Sequence, residues 1–198
     1  MNAPTYTSRK KAWNGFSGST LKLIAIISML IDHIGASVLE NGLLRSSLAP
    51  SGSVLHNRLS VLDDILRAIG RPAFPIFCFL LVEGFLHTRD SRKYAIRLFL
   101  FALISEIPFD LAIYRTLVNW EMQNVFFTLL IGLLVMMACT HFFKNIWMQS
   151  VIFALGLVAG YLLHTDYGFK GVLLIEILYF FRYDRKNQCI AGAISFSW

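Results

Sequence analysis

Long apolar runs alternate with short polar segments along most of the chain, and this alternation predicts several membrane-spanning helices. A helix needs about 17–25 mostly apolar residues to cross a bilayer. The predicted spans are Leu21–Leu39, Ala73–Leu86 with its flanks, Tyr94–Tyr114, Val125–Phe143, Ile146–Leu163 and Phe169–Tyr183. A seventh run opens at Ile190 and is too short to span before Trp198. The chain is therefore expected either to be truncated at its C-terminus or to end in an interfacial segment.

The long connection between the first two spans, Glu40–Arg71, carries a pattern of its own. A 4-3-4-3 spacing gathers on one helical face the residues Leu55, Leu59, Leu62, Leu66 and Ile69. An amphipathic helix along the outer interface fits this spacing, and a soluble helix packed on the helix ends fits it equally well. The whole pattern predicts an all-α polytopic membrane bundle with about six or seven transmembrane helices and an amphipathic interfacial helix in the first outer loop.

Composition supports a membrane protein rather than a soluble domain. Of the 198 residues, 56% are hydrophobic and 15% are charged, against about 45–50% and about 25% in soluble domains. The expected organisation is a polar cytoplasmic segment, residues 1–20, followed by one transmembrane domain, residues 21–198. The cysteines Cys78, Cys139 and Cys189 show no disulfide or metal-ligand spacing, so we expect buried free thiols and no metal site.

The distribution of basic residues predicts the orientation. With the N-terminus inside, 12 of the 18 Lys and Arg residues flank the cytoplasmic helix ends and 6 flank the outer ends. Cytoplasmic flanks are enriched in Lys and Arg, so the expected location is the cytoplasmic (inner) membrane with a cytoplasmic N-terminus. The net charge of +6 is then a topology signal and requires no nucleic acid partner.

Several ionisable residues lie inside the apolar runs, where each costs about 2.5–3.5 kcal/mol at a helix centre. Such residues usually face a bundle interior or a wet cavity. On the predicted topology, five stretches of sequence bring polar groups to one level near the outer face: Asp32, His33, Arg71, Glu106, Asp110, Asn124, Thr128, Asp166 and Tyr167. Their convergence predicts a functional site.

Structural interpretations of these residues remain open beside the functional one. Asp110 and Asp166 also fit helix-end or turn positions, Arg71 fits an interfacial anchor, and Asn124 fits a helix N-cap. His33 is the hardest to explain structurally, because an apolar helix has no need of an imidazole. The site hypothesis therefore rests mainly on His33.

Lys22 precedes His33 by eleven residues. Eleven helical steps bring the two side chains to the same face, roughly 16 Å apart along the axis at 1.5 Å per residue. A cation at the cytoplasmic surface is thereby aligned with an imidazole in the outer half of the membrane. Snorkelling of Lys22 to the interface is the alternative explanation for that residue.

Short motifs spread along the chain resemble the TraX family, named for the membrane protein that acetylates the N-terminus of conjugative pilin. They occur in order at Leu21–Ala25, Met29–Ile34, Gly70–Phe77, Glu83–Phe85 with His87 and Thr88, Ser105–Asp110, Gln123–Thr128 and Asp166–Gly168 with Gly171. The Lys22-x10-His33 spacing is also similar to the [Arg/Lys]-x10-His pattern of the wider bacterial transmembrane acyltransferases. That superfamily usually has more helices than this chain shows.

The resemblance implies transfer of an acetyl or other acyl group from cytoplasmic acetyl-CoA to an acceptor amine or hydroxyl on the outer face, with pilin or a glycan as acceptor. His33 is the expected general base. Glu106 or Asp110 is the expected group that orients it, because the neighbouring Asp32 points about 100° away on a helix. Lys22 is expected to bind the acyl-CoA donor. Arg71 and Asn124 are expected to stabilise the oxyanion or to position the acceptor. The other expected substrate-binding residues are Thr128, Asp166 and Tyr167.

Other functions use the same residues. A proton- or cation-coupled transporter would use the Asp, His and Glu side chains as a relay, although no repeat of broken helices is evident. An intramembrane metalloenzyme using His33, Asp110, His164 and Asp166 has no supporting ligand spacing. A purely structural assembly factor would leave the charges inside the apolar runs unexplained.

Overall fold

The computed structural model describes residues 17–46 and 48–196, which are helical and contain no β-sheet. The helices are α1 (Gly18–Ile34), α2 (Val54–Gly70), α3 (Ala73–His87), α4 (Ser91–Ile113), α5 (Val125–His141), α6 (Ile146–Leu162), α7 (Gly168–Phe180) and α8 (Arg185–Phe196). A π-helical stretch, Gly35–Leu44, extends α1. The predicted all-α bundle is confirmed. Most of the predicted N-terminal segment, residues 1–16, lies outside the described residues.

The apolar helices associate this protein with a membrane. In the described chain, Gly18–Leu44 and Val54–His87 are continuous helical stretches long and apolar enough to cross a bilayer, and α5 and α6 are apolar but shorter. The number of crossings and the cytoplasmic N-terminus stay predictions.

Polar residues fix where several helices begin. Ser17 accepts a hydrogen bond from the Thr20 backbone N–H at 3.1 Å, and Asn145 accepts one from the Met148 backbone N–H at 3.2 Å. The first N–H groups of a helix have no partner within the helix, so a side-chain oxygen at this position stabilises its start. This is why the helices begin close to the polar borders of the apolar runs.

The first helix continues beyond its predicted end at Leu39. Residues Gly35–Leu44 form a π-helix, so the first part of the predicted connection from Glu40 is helical. The Ser37 hydroxyl donates to the His33 carbonyl within this transition. Hydropathy alone missed this extension, because Glu40, Asn41 and Gly42 end the apolar run while the backbone remains helical. π-Helical stretches are rare and often lie at functional sites.

Helix α2 is the predicted amphipathic helix, and it packs with its polar face inward. Its apolar side chains Val54, Leu55, Val61, Leu62, Ile65 and Ile69 are exposed. The side facing α1 and its extension carries His56, Ser60, Asp63, Arg67 and Gly70. In a soluble protein the apolar face would be buried. An exposed apolar face with a polar inner face fits a helix whose outer surface contacts lipid.

Helices α5 and α7 form the centre of the packed core with α3. Leu133 and Met136 of α5 and Ile175 of α7 are fully buried. Gly132 permits the close contact, since a Cβ there would come within 2.6 Å of Ile175 Cδ1. Small residues at membrane helix interfaces allow such approach.

The predicted burial of all cysteines is wrong at one position. Cys78 and Cys139 are buried in the core, but Cys189 is exposed. Cys189 belongs to α8, which packs mainly on α7.

Candidate functional site

His33 lies in the last turn of α1, and its own helix orients its ring. The Nδ1 atom lies 2.9 Å from the backbone carbonyl oxygen of Met29, one turn earlier. A carbonyl oxygen only accepts hydrogen bonds, so Nδ1 carries the proton and donates. In the neutral ring the lone pair is then on Nε2. The side chain is therefore preset with Nε2 as its proton acceptor.

Three cavities follow one another along a single face of α1. The Lys22 cavity, about 640 Å³, is lined by Lys22 and Ile26. The middle cavity, about 220 Å³, is lined by Met29 and His33. The Arg71 cavity, about 530 Å³, is lined by His33 and, further along the same face, by Ala36 and Glu40. Lys22 and His33 thus lie on the face that their eleven-residue spacing predicts.

The cavities share walls. Phe126 lines both the Lys22 cavity and the middle cavity. His33, Phe109 and Asp166 line both the middle cavity and the Arg71 cavity. The three spaces therefore form a row, and His33 stands at the boundary between the second and the third.

The Lys22 cavity is strongly basic at its polar end. Four cations line it against one carboxylate: Lys22, Arg89, Lys93, Arg97 and Asp90. Asp90 caps α4 by accepting from the Lys93 backbone N–H at 3.0 Å, and this bond keeps the pKa of Asp90 below its usual value. The carboxylate thus stays ionised, and the cavity retains an excess of positive charge. This polar end suits an anionic ligand.

The Arg71 cavity contains the partner of Asp32. Arg67 Nη1 of α2 donates to Asp32 Oδ2 at 2.6 Å, and both side chains are only partly exposed. Arg71 and Tyr167 line the same cavity. Tyr167 is held by stacking on Phe74 of α3, with ring centroids 3.6 Å apart. Asp32 is therefore part of an α1–α2 contact, and it lines the same cavity as His33.

Glu106 and Asn124 join α4 to the start of α5. The Asn124 side-chain amide donates to Glu106 and, at 2.8 Å, to the Ala102 carbonyl. Its Oδ1 atom accepts from the Phe126 backbone N–H at 3.0 Å, so Asn124 is also the N-cap of α5. Asn124 contributes to the wall of the middle cavity. Glu106 is bonded to Asn124, and its prediction as the group that orients His33 stays a prediction.

Asp110 and Thr128 are fully buried. Asp110 Oδ2 accepts from the Asn119 backbone N–H at 2.7 Å, which fixes the α4–α5 connection. Within the described residues Thr128 Oγ1 has no hydrogen-bond partner. Neither residue lines any of the three cavities, so the roles predicted for them in catalysis and substrate binding stay predictions.

Backbone hydrogen bonds position Asp166 beside His33. The Gln123 N–H donates to the His164 carbonyl at 3.0 Å, and the Asp166 N–H donates to the Gln123 carbonyl at 2.9 Å. These bonds join the α4–α5 connection to the α6–α7 turn. Asp166 is exposed on one side, but its side chain lines the middle and Arg71 cavities. Desolvation by the surrounding protein raises its pKa to about 6. The positive charge of Arg67 opposes the shift, and the negative charge of Asp32 adds to it.

The structure brings together part of the predicted site. Asp32, His33, Arg71, Asp166 and Tyr167 line one cavity, and His33 shares the middle cavity with Asn124. Three parts of the site were not predicted from the sequence: Arg67, Phe126 and the basic group around Lys93. Arg67 was detectable as a member of the polar face of α2, whereas the cations near Lys93 were read only as topology signals.

Comparison with known proteins identifies the family. The TraX protein family matches residues 17–196. The chain is 34% identical over 184 residues to the probable fimbrial assembly protein FimC, serogroup H1, of Dichelobacter nodosus, covering 89% of this chain and 67% of that protein. No solved structure matches the chain. Matched over nearly its whole length, this chain belongs to the TraX family.

Proposed function

We propose that this protein is an integral membrane acyltransferase that moves an acetyl or other short acyl group from acyl-CoA to an amine acceptor on the opposite face. The observation that carries this is the row of three cavities with His33 at the boundary of the last two. A donor held at one end and an acceptor entering from the other would meet at Nε2 of His33. The pilin N-terminus is the proposed acceptor, by the resemblance to the TraX family and by the similarity to a probable fimbrial assembly protein.

The Lys22 end is the proposed cytoplasmic side. It holds the basic group of the Lys22 cavity, and cytoplasmic helix ends are enriched in Lys and Arg. The phosphates of acyl-CoA would bind this positive end. The apolar residues of the same cavity, among them Phe77, Leu98 and Phe126, would surround the narrow pantetheine arm.

His33 would act as general base. Its Nε2 takes a proton from the acceptor nitrogen as that nitrogen attacks the thioester carbonyl carbon. The C–N bond forms, the C–S bond breaks, and the leaving sulfur receives a proton from His33. Arg71, on the same cavity as His33, supplies positive charge for the developing oxyanion. Asn124 is less suited to that role, since its amide group already donates to Ala102 and Glu106.

Two neighbouring proton acceptors favour an amine over a hydroxyl. An ammonium group must lose two protons to become an amide: one ends on the sulfur and one is released to solvent. A hydroxyl loses only one. His33 and Asp166 line the same two cavities, so Asp166 can bind the ammonium group and accept its first proton.

The test is transfer across a bilayer by the reconstituted full chain. Proteoliposomes receive labelled acetyl-CoA on one side and a peptide with a free N-terminus on the other. Label on the peptide is expected, with an N-acetylated peptide as a control that stays unlabelled. Ion or proton flux without consumption of acetyl-CoA would instead favour the transporter.

Acyl transfer is expected to fall as pH drops through about 6. The carboxylate of Asp166 is the reactive form, and its raised pKa means that it is lost at about pH 6 rather than near pH 4. Asp166→Asn is expected to lower the rate roughly 10- to 100-fold, the equivalent of a hydrogen bond to a charged group, and to shift the midpoint of this acid limb. The measurement is a pH–rate profile. Asp64→Asn, at an exposed position outside the three cavities, serves as the control, and a wild-type profile for Asp166→Asn would contradict the role.

A further inference from the structure

Phe126 is the one residue that the Lys22 cavity and the middle cavity share within the described chain. It lies in the first turn of α5, directly after the Asn124 cap that fixes its backbone. Its side chain is half-buried and lies beside Phe101, with ring centroids 6.4 Å apart. The Phe126 ring therefore forms the wall between the basic cavity and the space at His33.

The space beyond this wall is small and mostly apolar. The middle cavity has about one third of the volume of the Lys22 cavity, about 220 against 640 Å³. Its apolar lining comes from three helices: Met29 of α1, Pro108 and Phe109 of α4, and Val125 and Phe126 of α5. Apolar pockets discriminate between ligands that differ by a methylene.

We propose that Phe126 sets the acyl-chain length that the protein accepts, by closing the middle cavity against the Lys22 cavity. This rests on the proposed acyl transfer. A short acyl group fits in the middle cavity beside His33. The pantetheine arm that carries it passes the Phe126 ring from the Lys22 cavity. A longer chain must also pass the Phe126 ring, and it gains room when the ring is removed and the middle cavity opens into the Lys22 cavity. The substrate class is thus a short-chain acyl-CoA, and Phe126 is the specificity-determining residue.

The experiment compares Phe126→Ala with the wild type in membranes supplied with acetyl-CoA or hexanoyl-CoA. One methylene in an apolar pocket changes specificity by roughly 10- to 200-fold. The ratio of hexanoyl to acetyl transfer is therefore expected to rise at least about tenfold in the variant. Phe126→Leu retains more apolar packing and is expected to shift the ratio in the same direction by less.

Phe101→Ala is the matched control. Phe101 is exposed, lies beside Phe126 and lines neither cavity, and the change removes its phenyl ring. The ratio of hexanoyl to acetyl transfer in this variant is therefore expected to equal that of the wild type. An unchanged ratio in both Phe126 variants, or an equal change in Phe101→Ala, would overturn the proposal.

A binding measurement separates this inference from the proposed function. Thermal stabilisation of the detergent-purified full chain is recorded with each acyl-CoA, since a ligand that binds the folded state raises the unfolding temperature. Hexanoyl-CoA is expected to stabilise Phe126→Ala more than the wild type, and acetyl-CoA to stabilise both. A wild type that binds acetyl-CoA but transfers nothing refutes the proposed function and leaves this comparison intact. Equal stabilisation of the variant and the wild type by hexanoyl-CoA refutes the role of Phe126.

Discussion

Replacing His33 with alanine is expected to lower the rate of acyl transfer about 100- to 10,000-fold, the usual contribution of a positioned general base. The structure explains why one side chain has so large an effect. His33 stands where the middle cavity meets the Arg71 cavity, and the Met29 carbonyl fixes the proton on Nδ1. Alanine removes the only imidazole on these two walls within the described chain. The measurement is incorporation of label from acetyl-CoA, normalised to the amount of protein in the membrane.

His56 provides a control that matches His33 closely. Its Nδ1 atom also bonds to a backbone carbonyl, that of Ala49, at 3.1 Å. It lies on α2 and lines none of the three cavities. His56→Ala is expected to retain acyl transfer. Undiminished transfer by His33→Ala, at unchanged expression, would rule out His33 as the base.

Helix positions could be predicted from the sequence because the length of an apolar run is a local property. The runs starting at Ala73, Val125 and Ile146 begin at the first residues of α3, α5 and α6. The extension Gly35–Leu44 could not be predicted in this way, since its helical backbone continues through polar residues. Its geometry depends on contact with α2: a Cβ at Gly35 would lie 3.0 Å from Asp63 Oδ1.

The orientation of α2 shows a second limit of sequence reasoning. The spacing predicts one apolar face of five residues. Leu55, Leu62 and Ile69 are exposed, whereas Leu59 and Leu66 are partly buried, and Leu66 lies at the contact with Gly35. Whether the apolar face of α2 contacts protein or lipid depends on the shape and polarity of the α1 surface beside it. Asp32 and the small residue Gly35 make the facing surface of α1 polar and narrow, so the polar side of α2 packs there.

The sequence predicted the region in which the site lies, but it did not predict which side chains contact each other there. The predicted topology placed the polar residues at one level of the membrane. In the structure several of them line the Arg71 cavity. Pairings across long sequence separation were not accessible, and Asp32 shows this: its partner Arg67 is 35 residues away. In contrast, the relation of Lys22 to His33 lies within one helix and follows from helical geometry alone.

Replacing Gly70 with alanine is expected to separate α2 from α1 and thereby disrupt the site, although Gly70 itself lines none of the three cavities. A Cβ at Gly70 would overlap Asp32 Cβ and come 2.8 Å from Asp32 Cα, so the backbone must shift. Arg67 lies one turn before Gly70, and a shift of α2 would break its 2.6 Å contact with Asp32. Overpacking of this kind typically costs about 1–3 kcal/mol.

The Gly70→Ala effect is measured as a lower unfolding temperature of the detergent-purified protein together with loss of acyl transfer. Gly18→Ala is the matched control, because a Cβ at Gly18 in α1 meets no atom within 4 Å. Alanine also favours helix over glycine by about 1 kcal/mol, so Gly18→Ala is expected to be neutral or slightly stabilising. A Gly70→Ala protein with wild-type stability and activity would show that the α1–α2 contact at Asp32 is not required. Loss of activity at unchanged unfolding temperature would instead place the effect on the Arg71 cavity, where the Asp32–Arg67 pair holds the wall beside His33.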